Sequence, residues 1–231
     1  MRHFGLAAII VALSFIASSI RAEDKPAAPA APAAPAESEL PKPDADGWIN
    51  LFNGKDLSGW HGDPEIWRVV DGYISGKKEK QGWNSFLIFN KQLSNYQLEA
   101  KFILVDLKKG NSGFQVRSKV KDWKKFVVNG YQPDIGDGWH GTLYEEGGRG
   151  VLVKAPAEVS KAVKQEDWNQ YKITLDGPKI KGEINGVVGF EYEEKDEKKG
   201  AKEGILALQY HAPGNFEIRF KDIRIKLIEA K

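Results

Sequence analysis

Period-two alternation of apolar and polar residues is the feature that most restricts the fold of this chain. Over Tyr96–Val105 (YQLEAKFILV), every second residue from Tyr96 to Leu104 is apolar, and three of the residues between them are polar. Successive side chains of a β-strand point to opposite faces, so this pattern predicts a half-buried strand. The alternation recurs over residues 216–228, with a change of parity at Lys221-Asp222 that predicts a β-bulge.

Turn dipeptides divide the rest of the chain into short strands. Asp71-Gly72 separates residues 66–70 from 73–75, and Asn185-Gly186 separates residues 180–184 from 187–192. Both dipeptides suit two-residue hairpins, whose central residues need positive φ. A helix is predicted only at residues 157–167. The remaining predicted strands cover residues 85–89, 113–118, 127–135, 150–153, 170–175 and 204–211. Such a series predicts an all-β fold, a two-sheet antiparallel β-sandwich or jelly roll.

The N-terminus precedes this domain and has a different composition. Residues 1–22 combine an early Arg2 with an apolar run and small residues near Ala22, which predicts a secretory signal peptide; a membrane anchor is the alternative. Residues 23–46 hold six of the eleven prolines, so we expect a disordered linker there. The folded domain is then expected at residues 47–231. The resulting prediction is an exported protein, periplasmic or on the cell surface, with no membrane insertion of the mature domain.

Composition excludes several classes of site. The chain has no cysteine, so it has neither disulfides nor thiolate metal ligands. Its 34 basic and 32 acidic residues nearly balance, and the basic cluster at residues 119–125 (KVKDWKK) lacks a nucleic-acid-binding motif. We therefore expect no nucleic-acid partner.

Polar and aromatic side chains concentrate between residues 111 and 150. This stretch reads NSGFQVRS, then GYQPDIGDGWHG, then LYEEGGRG. Amides, carboxylates and a cation can bind the hydroxyl groups of a sugar, and aromatic rings can stack on its ring face. A carbohydrate is therefore the expected ligand. The candidate residues taken from this stretch are Asn111, Gln115, Arg117, Gln132, Asp134, Trp139, Tyr144, Glu145, Glu146 and Arg149.

Strand alternation suggests which of these side chains share a face. Gln115 and Arg117 alternate with core residues, and Gln132 and Asp134 lie two positions apart. In the strand over residues 204–211, Gln209 and the terminal His211 share a side. If these three strands are neighbours in one sheet, the polar set converges on a single site.

The order of several motifs along the chain resembles the 3-keto-disaccharide hydrolase family. The motifs are FNGKDLSGW (52–60), WRVVDGYISG (67–76), NSGFQVRS (111–118), WNQYKI (168–173), GILALQYH (204–211) and FKDIRIKLI (220–228). The resemblance covers about residues 47–228. It implies a concanavalin A-like sandwich of the lectin/glucanase type and cleavage of glycosides oxidised to a ketone at carbon 3. One departure concerns GYQPDI (130–135), where the family often has GYEVQI. The acid and amide have exchanged positions, which places the acid at Asp134.

The chemistry implied by this family requires a base at carbon 2, an electrophile at the carbon 3 oxygen and an acid for the leaving group. We predict Asp134 or His211 as the base. Arg117 or a divalent cation, with no ligands assigned, would stabilise the oxyanion, and Glu146 or Tyr144 would protonate the leaving group. The substrate-binding residues would be Asn111, Gln115, Gln132, Glu145, Arg149 and Gln209, with Trp139 as the stacking platform.

Three other functions fit the same sequence. A non-catalytic, lectin-like module would need the aromatic platform but no base. A retaining glycosidase would need two carboxylates about 5 Å apart; the nearest acidic pattern, residues 191–197 (EYEEKDE), suggests a solvated loop instead. A structural or adhesive surface protein is supported only by the linker.

Overall fold

Two antiparallel sheets packed face to face form the fold. The structure is a computed structural model that describes residues 1, 34–105 and 110–229. Within these residues the elements are β1 (Ile49–Asn50), β2 (Trp60–His61), β3 (Trp67–Val70), β4 (Tyr73–Lys78), β5 (Ser85–Leu93), β6 (Tyr96–Val105), β7 (Asn111–Asp122), β8 (Val127–Gly136), β9 (Leu143–Glu146), β10 (Gly150–Val153), α1 (Ala157–Ala162), β11 (Asn169–Asp176), β12 (Lys179–Ile184), β13 (Val187–Glu193), β14 (Gly204–Tyr210) and β15 (Phe216–Leu227).

The two sheets differ in their strand order. The back sheet runs β13-β12-β11-β6-β15-β4-β3, with β1 paired to β15, and the front sheet runs β10-β9-β8-β7-β14-β5-β2. Apolar residues that point between the sheets form one large core. Across this core, the ring of Phe114 in β7 lies 5.5 Å from that of Tyr171 in β11 and 5.3 Å from that of Phe220 in β15. The predicted antiparallel β-sandwich is confirmed.

The local signals of the sequence correspond to real turns. Asp71 and Gly72 have φ values of 44° and 79°, and Asn185 and Gly186 have 50° and 81°, as the two-residue hairpins require. The bulge predicted in β15 is also present. Its pairing with β6 shifts between Lys221 and Arg224, and Asp222 has a φ of 51°.

The helix predicted over residues 157–167 is shorter than expected. It ends at Ala162, and Val163 is already extended. The side chain of Asn169 explains this ending. Its Oδ1 accepts from the backbone N–H of Lys164 at 2.7 Å, and its Nδ2 donates to the Lys164 carbonyl at 2.8 Å. These two bonds hold the backbone of Lys164 outside the helix.

Part of the predicted linker contacts the sandwich. The backbone N–H of Ser38 donates to the Asn90 carbonyl at 2.6 Å, and the Ser38 hydroxyl donates to the Gly59 carbonyl at 2.6 Å. Residues 35–38 therefore run beside β5. The predicted signal peptide falls almost entirely on residues 2–33, outside the described part of the chain. Among the described residues, no helix has the length and apolarity needed to span a bilayer.

The outer face of the front sheet positions the candidate site. The three strands that we expected to be neighbours, β8, β7 and β14, lie side by side in that order. At the end of this face formed by the β7–β8 hairpin, Trp123 and Phe126 pack over a small apolar cluster. The backbone N–H of Phe86 in β5 also donates to the Phe126 carbonyl at 2.9 Å. The polar residues of the site lie on the rest of this face, which Trp123 and Phe126 do not cover.

Candidate functional site

A cavity of about 440 Å³ lies on the outer face of the front sheet. Seven of the twelve site residues predicted from the sequence line it. The full lining is Asn84, Gly110, Asn111, Gln132, Asp134, Asp137, Trp139, Tyr144, Glu146 and His211. A volume of this size is typical of pockets that bind small molecules.

Strand register brings these residues together. Gln132 in β8 pairs with Tyr144 in β9, and Gly130 pairs with Glu146. Because residues two apart share a face, Asp134 lies on the same side as Gln132, and Glu146 on the same side as Tyr144. His211 directly follows β14, on the other side of β7. One sheet face therefore carries side chains that lie far apart in the sequence.

Asp134 is the most strongly perturbed acid of the cavity. Its side chain is nearly inaccessible, with 2% of the residue surface exposed. The pKa of Asp134 is raised to about 8, mainly by burial and in smaller part by the negative charge of Glu146. The hydrogen bond from Gln132 and the charge of Lys154 both oppose this rise. A carboxyl with a pKa near neutrality exchanges protons readily at physiological pH.

A chain of side-chain hydrogen bonds leads to Asp134 through the front sheet. The hydroxyl of Ser118 donates to the side-chain carbonyl of Gln115 at 2.7 Å, and the Gln115 amide donates to Gln132. The Gln132 amide donates to Asp134 at 2.6 Å and to the side-chain carbonyl of Gln209 at 3.3 Å. These bonds fix the orientation of the Gln132 amide, with its nitrogen toward the acid.

Gln115 and Gln209 thus lie beneath the site, not within it. Both have no exposed surface, and neither lines the cavity. We predicted that they would bind substrate; the structure gives them a supporting position. The side-chain amide nitrogen of Gln209 has no hydrogen-bond partner among the described residues.

Glu146 is held by Asn84, which the sequence analysis missed. The Asn84 amide donates to Glu146 at 3.0 Å, and the Asn84 side-chain carbonyl accepts from the backbone N–H of Ala212 at 3.0 Å. Asn84 therefore links β9 to the segment that carries His211. It lies outside residues 111–150, so only the tertiary structure identifies it. Asp137 was also missed, although it lies within the polar stretch.

An aromatic pair forms one wall of the cavity. The rings of Trp139 and Tyr144 are nearly perpendicular, at 87°, with their centroids 6.2 Å apart. Lys154 lies over Trp139, its Nζ 4.3 Å from the ring centroid. Trp139 is still 37% exposed, so part of its ring surface is accessible to a ligand. This geometry fits the platform predicted at Trp139.

His140, the residue after Trp139, anchors the loop. Its Nδ1 accepts from the backbone N–H of Gly136 at 3.3 Å, and its ring stacks on Phe102 at 6.2 Å. Burial lowers the pKa of His140 to about 4, so it is neutral at physiological pH. It holds the loop that presents Trp139.

Arg117 does not reach the cavity, and its predicted catalytic role does not fit the structure. Its guanidinium donates to the carbonyls of Ser94 at 2.8 Å and Gly177 at 2.7 Å, and to the Asn95 side chain at 2.9 Å. A bulge is the cause. Two residues of β7 oppose one on each neighbouring strand here, and Arg117 has a φ of 46°. The alternation that we assumed along β7 therefore fails at this residue.

Glu145 and Arg149 also lie outside the cavity, although we predicted that both bind substrate. Arg149 forms ion pairs with Glu145 at 2.7 Å and with Glu194 at 2.6 Å. The hydroxyl of Tyr131 donates to the same carboxylate of Glu194 at 2.7 Å. Glu194 belongs to the acidic pattern interpreted as a solvated loop, but its side chain is only 10% exposed. Glu145 and Arg149 line a second cavity.

The described residues contain no group of three or more His, Asp or Glu side chains arranged to hold a metal ion. We therefore assign no ligands to the divalent cation considered above.

Solved structures with related folds support the sandwich. A candidate glycosyl hydrolase from Parabacteroides distasonis has a TM-score of 0.58 and 22% identity, covering 80% of this chain and 95% of that chain. The carbohydrate-binding module CBM66 from Bacillus subtilis has a TM-score of 0.54 and 16% identity, covering 73% and 95%. At these identities the likeness establishes the fold alone.

Sequence comparison defines the family. A 3-keto-disaccharide hydrolase from Bacteroides thetaiotaomicron is 36% identical over 94 residues, which cover 34% of this chain and 32% of that protein. The match thus spans about a third of the relative's length. The family model of the 3-keto-alpha-glucoside-1,2-lyase-like domain matches residues 47–226, nearly the whole sandwich. The resemblance drawn from the motifs is confirmed, and this chain belongs to the family of 3-keto-alpha-glucoside-1,2-lyase-like domains.

Proposed function

We propose that this protein cleaves 3-keto-glycosides by removing the proton on carbon 2 and eliminating the substituent on carbon 1. The observation that carries the proposal is the position of Asp134. It is a buried acid with a pKa of about 8, on the floor of a cavity that also holds two further carboxylates and an exposed aromatic ring. Family membership supports a carbohydrate-active, hydrolase-like activity.

Asp134 is the proposed base. The ketone at carbon 3 acidifies the neighbouring C2–H bond, and the ionised carboxylate takes this proton. The electron pair of that bond moves into an enediolate whose negative charge is on the carbon 3 oxygen. A base is most effective when its pKa lies near the working pH, which favours Asp134 over an ordinary exposed carboxylate.

The enediolate oxygen needs a hydrogen-bond donor. Arg117 was our first choice, but its guanidinium is bound to the Ser94 and Gly177 carbonyls. Asn111 and His211 both line the cavity and can donate a hydrogen bond. We assign this role to them jointly, because a fixed donor at the developing oxyanion is a large source of catalysis.

The leaving group needs a proton. When the enediolate collapses, the C1–O bond breaks and the leaving oxygen takes a proton from Glu146, with Tyr144 as the alternative donor. The product has a double bond between carbons 1 and 2. Water then adds at carbon 1 and gives a proton to the Glu146 carboxylate, which restores the acid. The Asp134 carboxyl, after exchange with solvent, delivers a proton to carbon 2, which completes a net hydrolysis. We further propose that the protein acts outside the cytoplasm, on the basis of the N-terminal pattern of residues 1–22.

Isotope labelling tests this chemistry directly. The full chain would be incubated with a 3-keto-glucoside and its unoxidised parent, each with a chelator and with added divalent metal. We expect release of the leaving group from the keto form alone, slowed by deuterium at carbon 2. In heavy water, the released 3-keto-glucose should carry deuterium at carbon 2.

Other outcomes would select a rival function. Saturable binding of both sugars without cleavage would indicate a lectin-like module. Cleavage of the parent glucoside, with no deuterium incorporated at carbon 2, would indicate a conventional glycosidase. Cleavage only with added metal would retain the proposed reaction and add a cation to the site.

A further inference from the structure

A second cavity, of about 500 Å³, adjoins the proposed active site. Glu146 lines both cavities, so a ligand that passes this side chain enters the second one. Gly147 and Gly148 form part of its wall, together with the side chains of Asn129 and Glu145 that pack against them. We call this cavity the basic cavity, after its cationic lining residues Arg117, Lys119, Arg149, Lys198 and Lys199.

The two cavities have opposite charge. The active-site cavity is lined by Asp134, Asp137 and Glu146, and by no lysine or arginine among the described residues. The basic cavity has five cationic side chains against two carboxylates, those of Glu145 and Glu146. A cavity lined mainly by one sign of charge attracts ligands of the opposite sign. An anionic group on a ligand is therefore repelled from the first cavity and attracted to the second.

Ion pairs leave part of this positive charge available. Arg149 forms ion pairs with Glu145 at 2.7 Å and with Glu194 at 2.6 Å, and Lys199 lies 3.7 Å from Asp196. Lys119 and Lys198 form no ion pair with any carboxylate in the parts of the chain that the structure describes. Both are exposed at the mouth of the basic cavity, where a ligand can reach them.

We propose that the basic cavity binds an anionic group, a carboxylate or a sulfate ester, on the leaving-group half of the substrate. This inference rests on the proposed function, in which Glu146 protonates the leaving oxygen. Because Glu146 separates the two cavities, the part of the substrate beyond that oxygen extends into the basic cavity. The preferred substrate is then an acidic disaccharide with a neutral 3-keto sugar over Asp134.

Three matched substrates test the charge preference. All carry the same 3-keto-glucosyl group, and the leaving half is glucose, glucuronic acid or glucose 6-sulfate. We expect the full chain to cleave at least one acidic substrate with a kcat/KM about tenfold above that of the neutral one at low salt. The preference should disappear near 1 M salt, where the Debye length is about 3 Å. A preference confined to glucuronic acid or to the sulfate would identify the anion.

A charge-matched pair of variants assigns the effect to the cavity. Lys119→Gln with Lys198→Gln should lower kcat/KM for the acidic substrate about tenfold and leave the neutral substrate within about twofold. Lys55→Gln with Lys179→Gln removes the same charge from exposed positions outside the cavity and should change neither substrate. Equal cleavage of all three substrates by the unmodified chain, at every salt concentration, would overturn the inference.

Binding measurements separate this inference from the proposed chemistry. Calorimetry with the unoxidised acidic and neutral disaccharides reports on the basic cavity without turnover. Tighter binding of the acidic sugar that depends on Lys119 and Lys198 would support the basic cavity even if no keto substrate were cleaved. Cleavage of the neutral keto substrate without any acidic preference in binding or rate would reject the basic cavity and retain the reaction.

Discussion

The side-chain amide of Gln132 donates a hydrogen bond of 2.6 Å to the carboxylate of Asp134, and this bond opposes the effect of burial on the pKa of that acid. Burial raises the pKa of Asp134, the Gln132 bond lowers it because it stabilises the ionised form, and the net value is about 8. Gln115 fixes the direction of this bond, since its own amide donates to the Gln132 carbonyl. The ionisation of the proposed base therefore depends on a residue that does no proton transfer itself.

Replacing Gln132 should shift the pH dependence of the reaction upward. Gln132→Met removes the donor, so the pKa of Asp134 rises above about 8. Because the base must be ionised, the rising limb of kcat/KM against pH should move to higher pH, which pH-rate profiles would measure. Gln170→Met, at an exposed position of the back sheet, is the control and should leave the limb in place. An unshifted limb in Gln132→Met would show that Asp134 is not the titrating base.

Replacing Glu146 should shift the same limb in the opposite direction. The negative charge of Glu146 raises the pKa of Asp134, so Glu146→Gln should move the limb to lower pH. The variant also lacks the proposed acid, and general acids contribute about 10²–10⁴-fold. We expect a loss of this order with an alkyl leaving group and a much smaller loss with a nitrophenyl group, which needs no protonation. Equal losses for both leaving groups would contradict the acid role.

Asp134→Asn should abolish turnover and stabilise the protein at high pH. The folded-state pKa of about 8 lies above the ordinary value of 3.8, so between these values the unfolded chain loses a proton that the folded chain keeps. Stability is therefore lost as pH rises from about 4 to about 8. Asparagine carries no charge, so the variant should gain stability relative to the unmodified chain across this window and none below it. Urea unfolding at pH 4 and pH 9 would measure the difference; an equal effect at both would argue against the raised pKa.

Arg117 should matter for stability, not for the chemical step. Its three hydrogen bonds hold the turns at Ser94 and Gly177, and its removal leaves those carbonyls without a partner. Arg117→Met should lower the free energy of unfolding by about 3 kcal/mol and leave kcat within about threefold. Arg68→Met, at an exposed position of β3, serves as the control and should change neither quantity. A loss of kcat of about 100-fold in folded Arg117→Met would restore a catalytic role.

Local pattern was sufficient for most of the fold. The alternation over Tyr96–Val105 predicted a strand that is indeed half-buried, and the dipeptides at Asp71 and Asn185 predicted the hairpins. These signals succeed because φ preferences and side-chain alternation depend on the chain itself. The predicted helix over residues 157–167 was too long, because Asn169, from outside the segment, binds the backbone of Lys164.

The candidate site could be predicted only in part, because local patterns identify only the residues that lie close together in the sequence. Gln132, Asp134, Tyr144 and Glu146 lie on adjacent strands of one hairpin, so sequence proximity and alternation brought them together correctly. Asn84 was missed because it directly precedes β5, which lies two strands from β7 across β14. No local sequence pattern identifies Asn84, because its role depends on a hydrogen bond to Glu146, which is distant in the sequence.

What the sequence determined by itself was the β-sandwich, its turns and the membership of the family, because each follows from patterns within short segments and from their order. Only the tertiary structure decided which polar residues form a site. One extra residue in β7 turns Arg117 away from the cavity, and Gln115 and Gln209 lie beneath the site, where they support Asp134 through Gln132. The tertiary structure also gave Asp134 a pKa near neutrality, because the burial of this carboxyl is a property of the assembled fold and not of any segment.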